Sequence, residues 1–250
     1  MAEPNALRIL VVNGKGGCGK TTIATNLAAA YARLGFCVAL SDHDSQASSA
    51  HWLEQRPTRL PTIHLVPAHE RPGMYTTRSF QRRLPIDVER IIIDTPSAVG
   101  DRDLDGLLRG IDAILVPLLP SSIDIRAGGR FIAQLLNHRS YRAQPKPIAV
   151  IANRVRHNTA THQKLMEFLA TLEVPTVATF TDCAMYTRLA ENGNGLFDDV
   201  SDALAEREAA EWCRVMQWID DVAIHAHANS RQHGPVAASP HQRNAESAEA

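Results

Sequence analysis

Residues 14–22, Gly14-Lys15-Gly16-Gly17-Cys18-Gly19-Lys20-Thr21-Thr22, fit the spacing G-x-x-x-x-G-K-[ST] of a loop that cradles phosphate. The chemistry behind that spacing is electrostatic. Successive backbone N–H groups form a concave anion nest, and a helix N-terminus adds partial positive charge where phosphate would sit. Glycine lets the backbone take dihedral angles that other residues resist and come close to the ligand. Lys20 would reach the β- and γ-phosphates, and the Thr21 hydroxyl would ligate Mg²⁺. Asp94 ends an apolar run, Ile91-Ile92-Ile93, and fits an aspartate that holds the same Mg²⁺. Asp42 and Asp44, two apart, close another apolar run and are candidate functional acids beside the loop. An Asx-rich turn is the competing reading of that pair, and a helix cap that of Asp94.

Such residues work only if strands deliver them to one place. The loop follows an apolar run over 7–13 and opens into a helical stripe, Ile23, Leu27, Ala30 and Leu34, that stops at Gly35. Further strands are expected at 36–40, 62–66, 90–94, 112–119, 148–152 and 174–180. Helices are expected at 47–55, 74–84, 126–138, 159–172 and 203–223. Alternating strands and helices imply an α/β fold, a single P-loop NTPase domain with a mostly parallel twisted sheet and helices on both faces. Ligands in such sheets sit at the carboxyl ends of the strands. Residues 1–6 read as a short lead-in, 7–225 as the ATPase domain and 226–250 as a disordered tail without apolar periodicity.

Composition narrows the partners. The 26 basic and 27 acidic residues nearly cancel, so any nucleic-acid contact must use a local patch. No apolar run has membrane-spanning length, and a cytoplasmic location is expected. Cys18, Cys37, Cys183 and Cys213 form no C-x-x-C pair, and Cys18 is taken as a small loop residue. His225, His227, His233 and His241 have no compact metal spacing. Trp212, Val215, Ile219 and Val222 make a stripe that suits core packing. The polar face beside it carries Glu211, Asp220 and Asp221, which disfavours an anionic membrane.

One loop residue is not demanded by the general pattern. Lys15 makes residues 15–22 resemble the deviant Walker A motif, KGGxGK[ST], of the ParA/MinD family of ATPases. Asp42-His43-Asp44-Ser45-Gln46 resembles the family's acid–x–acid–Pro–Gln switch I, with Ser45 in place of proline. The resemblance implies that Asp44 activates water and Asp42 supports the magnesium shell. Asp94-Thr95-Pro96-Ser97 resembles switch II. The segment 117–127, with Pro120, Ser121, Ser122 and Asp124, is similar to a subunit-contact loop. Asn153, in Ile151-Ala152-Asn153-Arg154-Val155, matches an adenine contact, and Arg188-Leu189-Ala190-Glu191 resembles an R-L-x-E segment whose arginine contributes to DNA binding. The resemblance covers roughly 7–224.

By that resemblance Lys15 would reach the partner subunit's phosphates, so that ATP with Mg²⁺ joins two chains. Gly14, Lys15, Gly16, Gly17, Cys18, Gly19, Lys20, Thr21 and Thr22 would hold the nucleotide, with Asn153 at the base. Lys15, Lys20 and Asp44 would act in hydrolysis, and Thr21, Asp42 and Asp94 around the metal. Arg156, Arg188 and Arg214 are candidates for sequence-independent contacts to nucleoid DNA, and a cargo adaptor protein would stimulate hydrolysis. The alternatives are a MinD-like membrane switch, a metal-cluster carrier and a metabolic P-loop enzyme. The first would need a basic amphipathic C-terminal helix and the second paired cysteines, and neither is seen.

Overall fold

The computed structural model describes residues 6–68, 84–97, 99–200 and 203–232. Its strands are β1 (Leu7–Val11), β2 (Val38–Asp42), β3 (Ile63–Pro67), β4 (Arg90–Asp94), β5 (Ala113–Leu118), β6 (Ile148–Val155) and β7 (Thr176–Thr181). They form one seven-stranded sheet in the order β3-β2-β4-β1-β5-β6-β7, with every neighbouring pair parallel. The helices are α1 (Lys20–Arg33), α2 (Ser48–Glu54), α3 (Asp101–Leu107), α4 (Ser122–Asn137), α5 (Arg139–Ala143), α6 (Ala160–Leu169), α7 (Met185–Glu191) and α8 (Ala203–Gln232), with a 3₁₀ turn at Leu196–Asp198.

Parallel strands covered on both faces have no polar side to show, and β1 follows that rule. Leu7, Ile9 and Val11 enter one apolar cluster with residues of α1, α2, α7 and α8. Leu10, alternating with them, enters a second cluster with residues of α3, α4 and α6. The α/β architecture read from the sequence is therefore the observed one.

Several boundaries differ from the sequence-based expectation. β2 starts at Val38 and ends at Asp42, so this acid is the last residue of the strand and does not follow it. α3, α5 and α7 were not expected, because each is at most seven residues long and too short to show an apolar period. α8 continues to Gln232, past the expected end at 223 and into the segment read as tail. That stretch has no stripe, yet alanine and the absence of glycine or proline before Gly234 suffice to extend a helix already begun. The helix expected at 74–84 lies, apart from Leu84, outside the described residues, as do most of the lead-in and the rest of the tail.

The expected stripe of α8 does face the core. Trp212, Val215 and Ile219 are buried, Val222 partly so, and the Trp212 ring stacks on Phe180 with centroids 4.4 Å apart. Each such side chain contributes about 1.5–3 kcal/mol of apolar burial. Glu208 and Glu211 of α8 accept backbone N–H groups of Thr181 and Thr179 on the edge strand β7, at 3.1 and 2.8 Å. The helix thus covers an edge that would otherwise offer free donors. Among the described residues no helix is long and apolar enough to cross a membrane.

At the opposite end of the chain order, α2 is fastened to the loop after α7. Arg56 forms a two-pronged ion pair with Asp198, at 2.7 and 3.3 Å, and donates to the Gly193 and Pro61 carbonyls. Both side chains of that pair are buried. Gly193 has φ +64°, and a Cβ there would lie 2.3 Å from the Arg56 nitrogen, so only glycine fits. Trp52 of α2 donates its indole N–H to the Asn194 carbonyl at 3.3 Å.

Candidate functional site

The loop begins where β1 ends. The Val12 amide donates to Leu115 at 3.0 Å, and the Asn13 side chain then spans the turn: Nδ2 donates to the Pro117 carbonyl at 2.7 Å, and Oδ1 accepts the Lys15 amide at 3.0 Å. Gly17 and Gly19 take φ of 74° and 96°. Gly19 is further constrained, because a Cβ there would sit 2.2 Å from Asn153 Nδ2. α1 starts at Lys20 with no side-chain cap, so its first amides are left to the cavity. Lys20 is buried, and its Nζ lies 3.4 Å from the Lys15 carbonyl, which also accepts the Cys18 thiol at 3.2 Å. Lys15 is the contrasting lysine: its side chain is 44% exposed and pairs with Asp124 on α4 at 3.8 Å.

Strand register assembles the acids. Asp94 pairs with Val11 on one side and with Asp42 on the other, so the loop entrance and both carboxylates share one level of the sheet. Asp42 is fully buried, and its oxygens accept backbone amides of Asp44 and Ala50, each at 3.0 Å. Asp44 is half-buried, accepts the Gln46 amide at 2.9 Å and faces the cavity. Asp94 is also fully buried, and its Oδ2 accepts the Ser49 hydroxyl at 2.5 Å. Its Oδ1 has no hydrogen-bond partner. Burial raises the Asp94 pKa to about 6, with the Ser49 and Thr21 hydroxyls opposing the rise and Asp42 adding to it. The Thr21 hydroxyl lies near enough to affect that carboxylate without closing a well-formed hydrogen bond to Oδ1.

A buried carboxylate oxygen without a partner, with a hydroxyl beside it, is a hard-oxygen donor set that suits Mg²⁺. Among the described residues no group of three or more His, Cys, Asp or Glu side chains is placed to cage a metal. The fit is therefore to an ion that keeps waters and phosphate oxygens in its shell.

Gly16, Gly17, Gly19, Lys20, Thr21, Thr22 and Asp44 line a cavity of about 640 Å³, a volume suited to a small-molecule ligand, while Asp42 and Asp94 are buried and not part of its wall. Asn153, Arg154, Asp182, Tyr186 and Thr187 also line it. Asn153 is committed to the loop: Nδ2 donates to the Cys18 carbonyl at 2.8 Å and Oδ1 accepts the Arg154 amide at 3.0 Å. Arg154 has φ +52°, unusual for a side chain of its size. Arg154 and Arg156 both pair with Asp182, at 3.2 and 2.8 Å.

Sequence reasoning thus found the loop and the acids that the structure brings together. It missed Ser49, Asp182 and Tyr186, which belong to no motif, and gave no role to Arg154 in the segment 151–155; only positions at strand ends or on short helices could have signalled them. The arginines proposed for DNA are not collected on one element. Arg156 follows β6 and is tied to Asp182, Arg188 is exposed on α7, and Arg214 on α8 pairs with Glu211 at 2.9 Å.

A phosphate loop at the end of a central parallel strand, facing buried acids on two neighbouring strands, defines a P-loop nucleotide-binding protein. More narrowly, the chain belongs to the family described as "CobQ/CobB/MinD/ParA nucleotide binding domain", whose profile matches residues 9–194. It is 28% identical to Maintenance of carboxysome distribution protein A of Halothiobacillus neapolitanus over 186 residues, covering 72% of this chain and 81% of that one. Among solved structures, a putative plasmid partition protein of Borrelia burgdorferi bound to AMPPNP superposes with TM-score 0.67 at 19% identity, over 85% of this chain and 99% of that one. A Cyanothece McdA variant in complex with ATP gives TM-score 0.64 at 16% identity, over 84% and 96%.

Proposed function

We propose that this protein is an ATP-driven positioning switch. It binds ATP with Mg²⁺, pairs with a second copy of itself, holds double-stranded DNA without sequence preference, and lets go after hydrolysis stimulated by a cargo adaptor. The observation that carries this reading is the contrast between the two loop lysines. Lys20 is buried in the cradle, whereas Lys15 stands half-exposed outside it, paired only loosely with Asp124. A lysine so placed is available to a second molecule's phosphates. The partition and distribution proteins that this chain resembles lend support for a plasmid, chromosome locus or protein assembly as cargo. A cytoplasmic location, on the nucleoid when ATP is bound, belongs to the same reading.

In this mechanism the loop amides from Gly14 to Thr22 and Lys20 hold the phosphates, and Asn153 props the loop at Cys18 and Gly19 beside the base. Thr21 and Asp94 would hold Mg²⁺, which when bound neutralises charge on the β- and γ-phosphates. Asp42 acts one step removed, because its two oxygens order Asp44 and the start of α2. Asp44, on the cavity wall, orients the attacking water and accepts its proton. Dimerisation follows from differential affinity, since only the pair supplies Lys15 from the other side. Arg188, Arg156 and Arg214 would contact DNA phosphates.

Light scattering with ATP or ADP, combined with DNA retention over a salt series, tests the reading. ATP should give a dimer that retains DNA and releases it steeply as salt rises, and ADP should not. Lys15→Ala should stay monomeric with ATP; a normal dimer in that variant overturns the trans-acting lysine. Co-sedimentation with anionic vesicles, in place of DNA retention, would favour a membrane switch.

A further inference from the structure

We propose that Ser49 is a positioning residue for the metal site: its hydroxyl holds the Asp94 carboxylate in the one orientation that leaves Oδ1 facing the loop. The inference rests on the reading of this cavity as a nucleotide and Mg²⁺ site. It goes beyond that reading by assigning the orientation of the metal acid to a residue of α2, outside every motif.

The geometry is specific. Ser49 is fully buried, and its Oγ lies 2.5 Å from Asp94 Oδ2. A carboxylate turns about its last bond in a broad, roughly two-fold well whose halves are chemically identical, so a strand by itself does not fix the plane of the group. A short hydrogen bond to one oxygen does fix it. With Oδ2 engaged, the oxygen without a partner is Oδ1, which is the one left for a metal. Ligands to metals are commonly set in this way by a second layer of hydrogen bonds.

Ser49 is itself held from the other acid. Its neighbour Ala50 donates its amide to Asp42 Oδ2 at 3.0 Å, and Asp42 sits beside Asp94 in the strand register. The first turn of α2 therefore grips both carboxylates at once, one through a side chain and one through the backbone. The backbone contact does not use the Ser49 side chain, so removing the hydroxyl loosens Asp94 while leaving α2 seated.

The test titrates Mn²⁺, as a paramagnetic stand-in for Mg²⁺, into the ADP-bound full chain and reads free Mn²⁺ by electron paramagnetic resonance. ADP affinity in excess EDTA is measured beside it. Ser49→Ala should weaken Mn²⁺ binding by about tenfold or more, the range found when outer-layer partners of metal ligands are removed. ADP affinity without metal should stay within about twofold, the scatter of such a comparison. Alanine is a better helix former than serine, which favours a folded variant. Ser49→Cys, which keeps a small side chain, slightly larger than serine's, but only a poor donor, should lose Mn²⁺ in the same way and gives a second route to the answer. Unchanged Mn²⁺ affinity in both variants overturns the assignment, and so does an equal loss of ADP affinity in EDTA, which would mark a general structural role. If the native chain shows no ADP-dependent Mn²⁺ binding, the nucleotide–metal reading itself falls, a result distinct from either.

Discussion

A carboxylate kept in the interior for a ligand should cost stability when that ligand is absent, and Asp94 allows the cost to be worked out. Its pKa of about 6 stands above the ordinary 3.8, and the first cause is burial. Between those two values the folded chain binds more protons than the unfolded chain, so stability falls as pH rises through this window and the full penalty is present above it. A difference of about two pKa units corresponds to about 3 kcal/mol at about pH 7.5, and to about half of that at about pH 5. Asp94→Asn removes the titration, keeps an acceptor for Ser49, and buries an amide that costs about 1 kcal/mol or more if poorly paired. In EDTA, urea unfolding should therefore find the variant more stable than the native chain by about 1–2 kcal/mol near neutral pH, with the advantage gone by about pH 5. The same variant should lose Mg²⁺-dependent nucleotide binding. A stability difference that is the same at both pH values, or a variant less stable at neutral pH, would refute the assignment of a strained, waiting carboxylate.

Gly19→Ala should abolish nucleotide binding in equilibrium dialysis and lower the melting temperature, because φ is +96° and the new Cβ would collide with Asn153. A variant that binds normally would show that the loop can give way there. Arg56→Ala should destabilise the fold by about 3–5 kcal/mol in urea titration, since it leaves Asp198 buried without its partner, and a loss below about 1 kcal/mol would refute that account.

What could be read from the sequence follows from how locally each feature is encoded. The loop was legible because its glycines, Lys20 and Thr21 act through the backbone of one short stretch. The acids were legible because short apolar runs, such as Ile91-Ile92-Ile93 before Asp94, read as buried strands. Strand order was not legible, as nothing local says that β4 lies between β1 and β2. For the same reason Ser49 was passed over. Its meaning comes from a partner 45 residues away on a strand whose neighbour was unknown. The pairing of Lys15 with Asp124 is likewise a product of topology, since α4 reaches the loop only after β5 has taken its place beside β1. The extension of α8 was missed for the opposite reason: periodicity was sought where propensity alone was enough.

The fastening of α2 at both ends has a mechanical consequence. Its first turn grips Asp42 and Asp94, and its far end is bolted through Trp52 and Arg56 to the loop at 193–198. A rod clamped in this way cannot absorb motion along its own length. The link between it and Asp44 is the turn at 45–47, where Ala47 carries a left-handed φ of 52° at a cost of about 1 kcal/mol. Along the chain, any motion of Asp44 reaches α2 and the loop behind it through that turn.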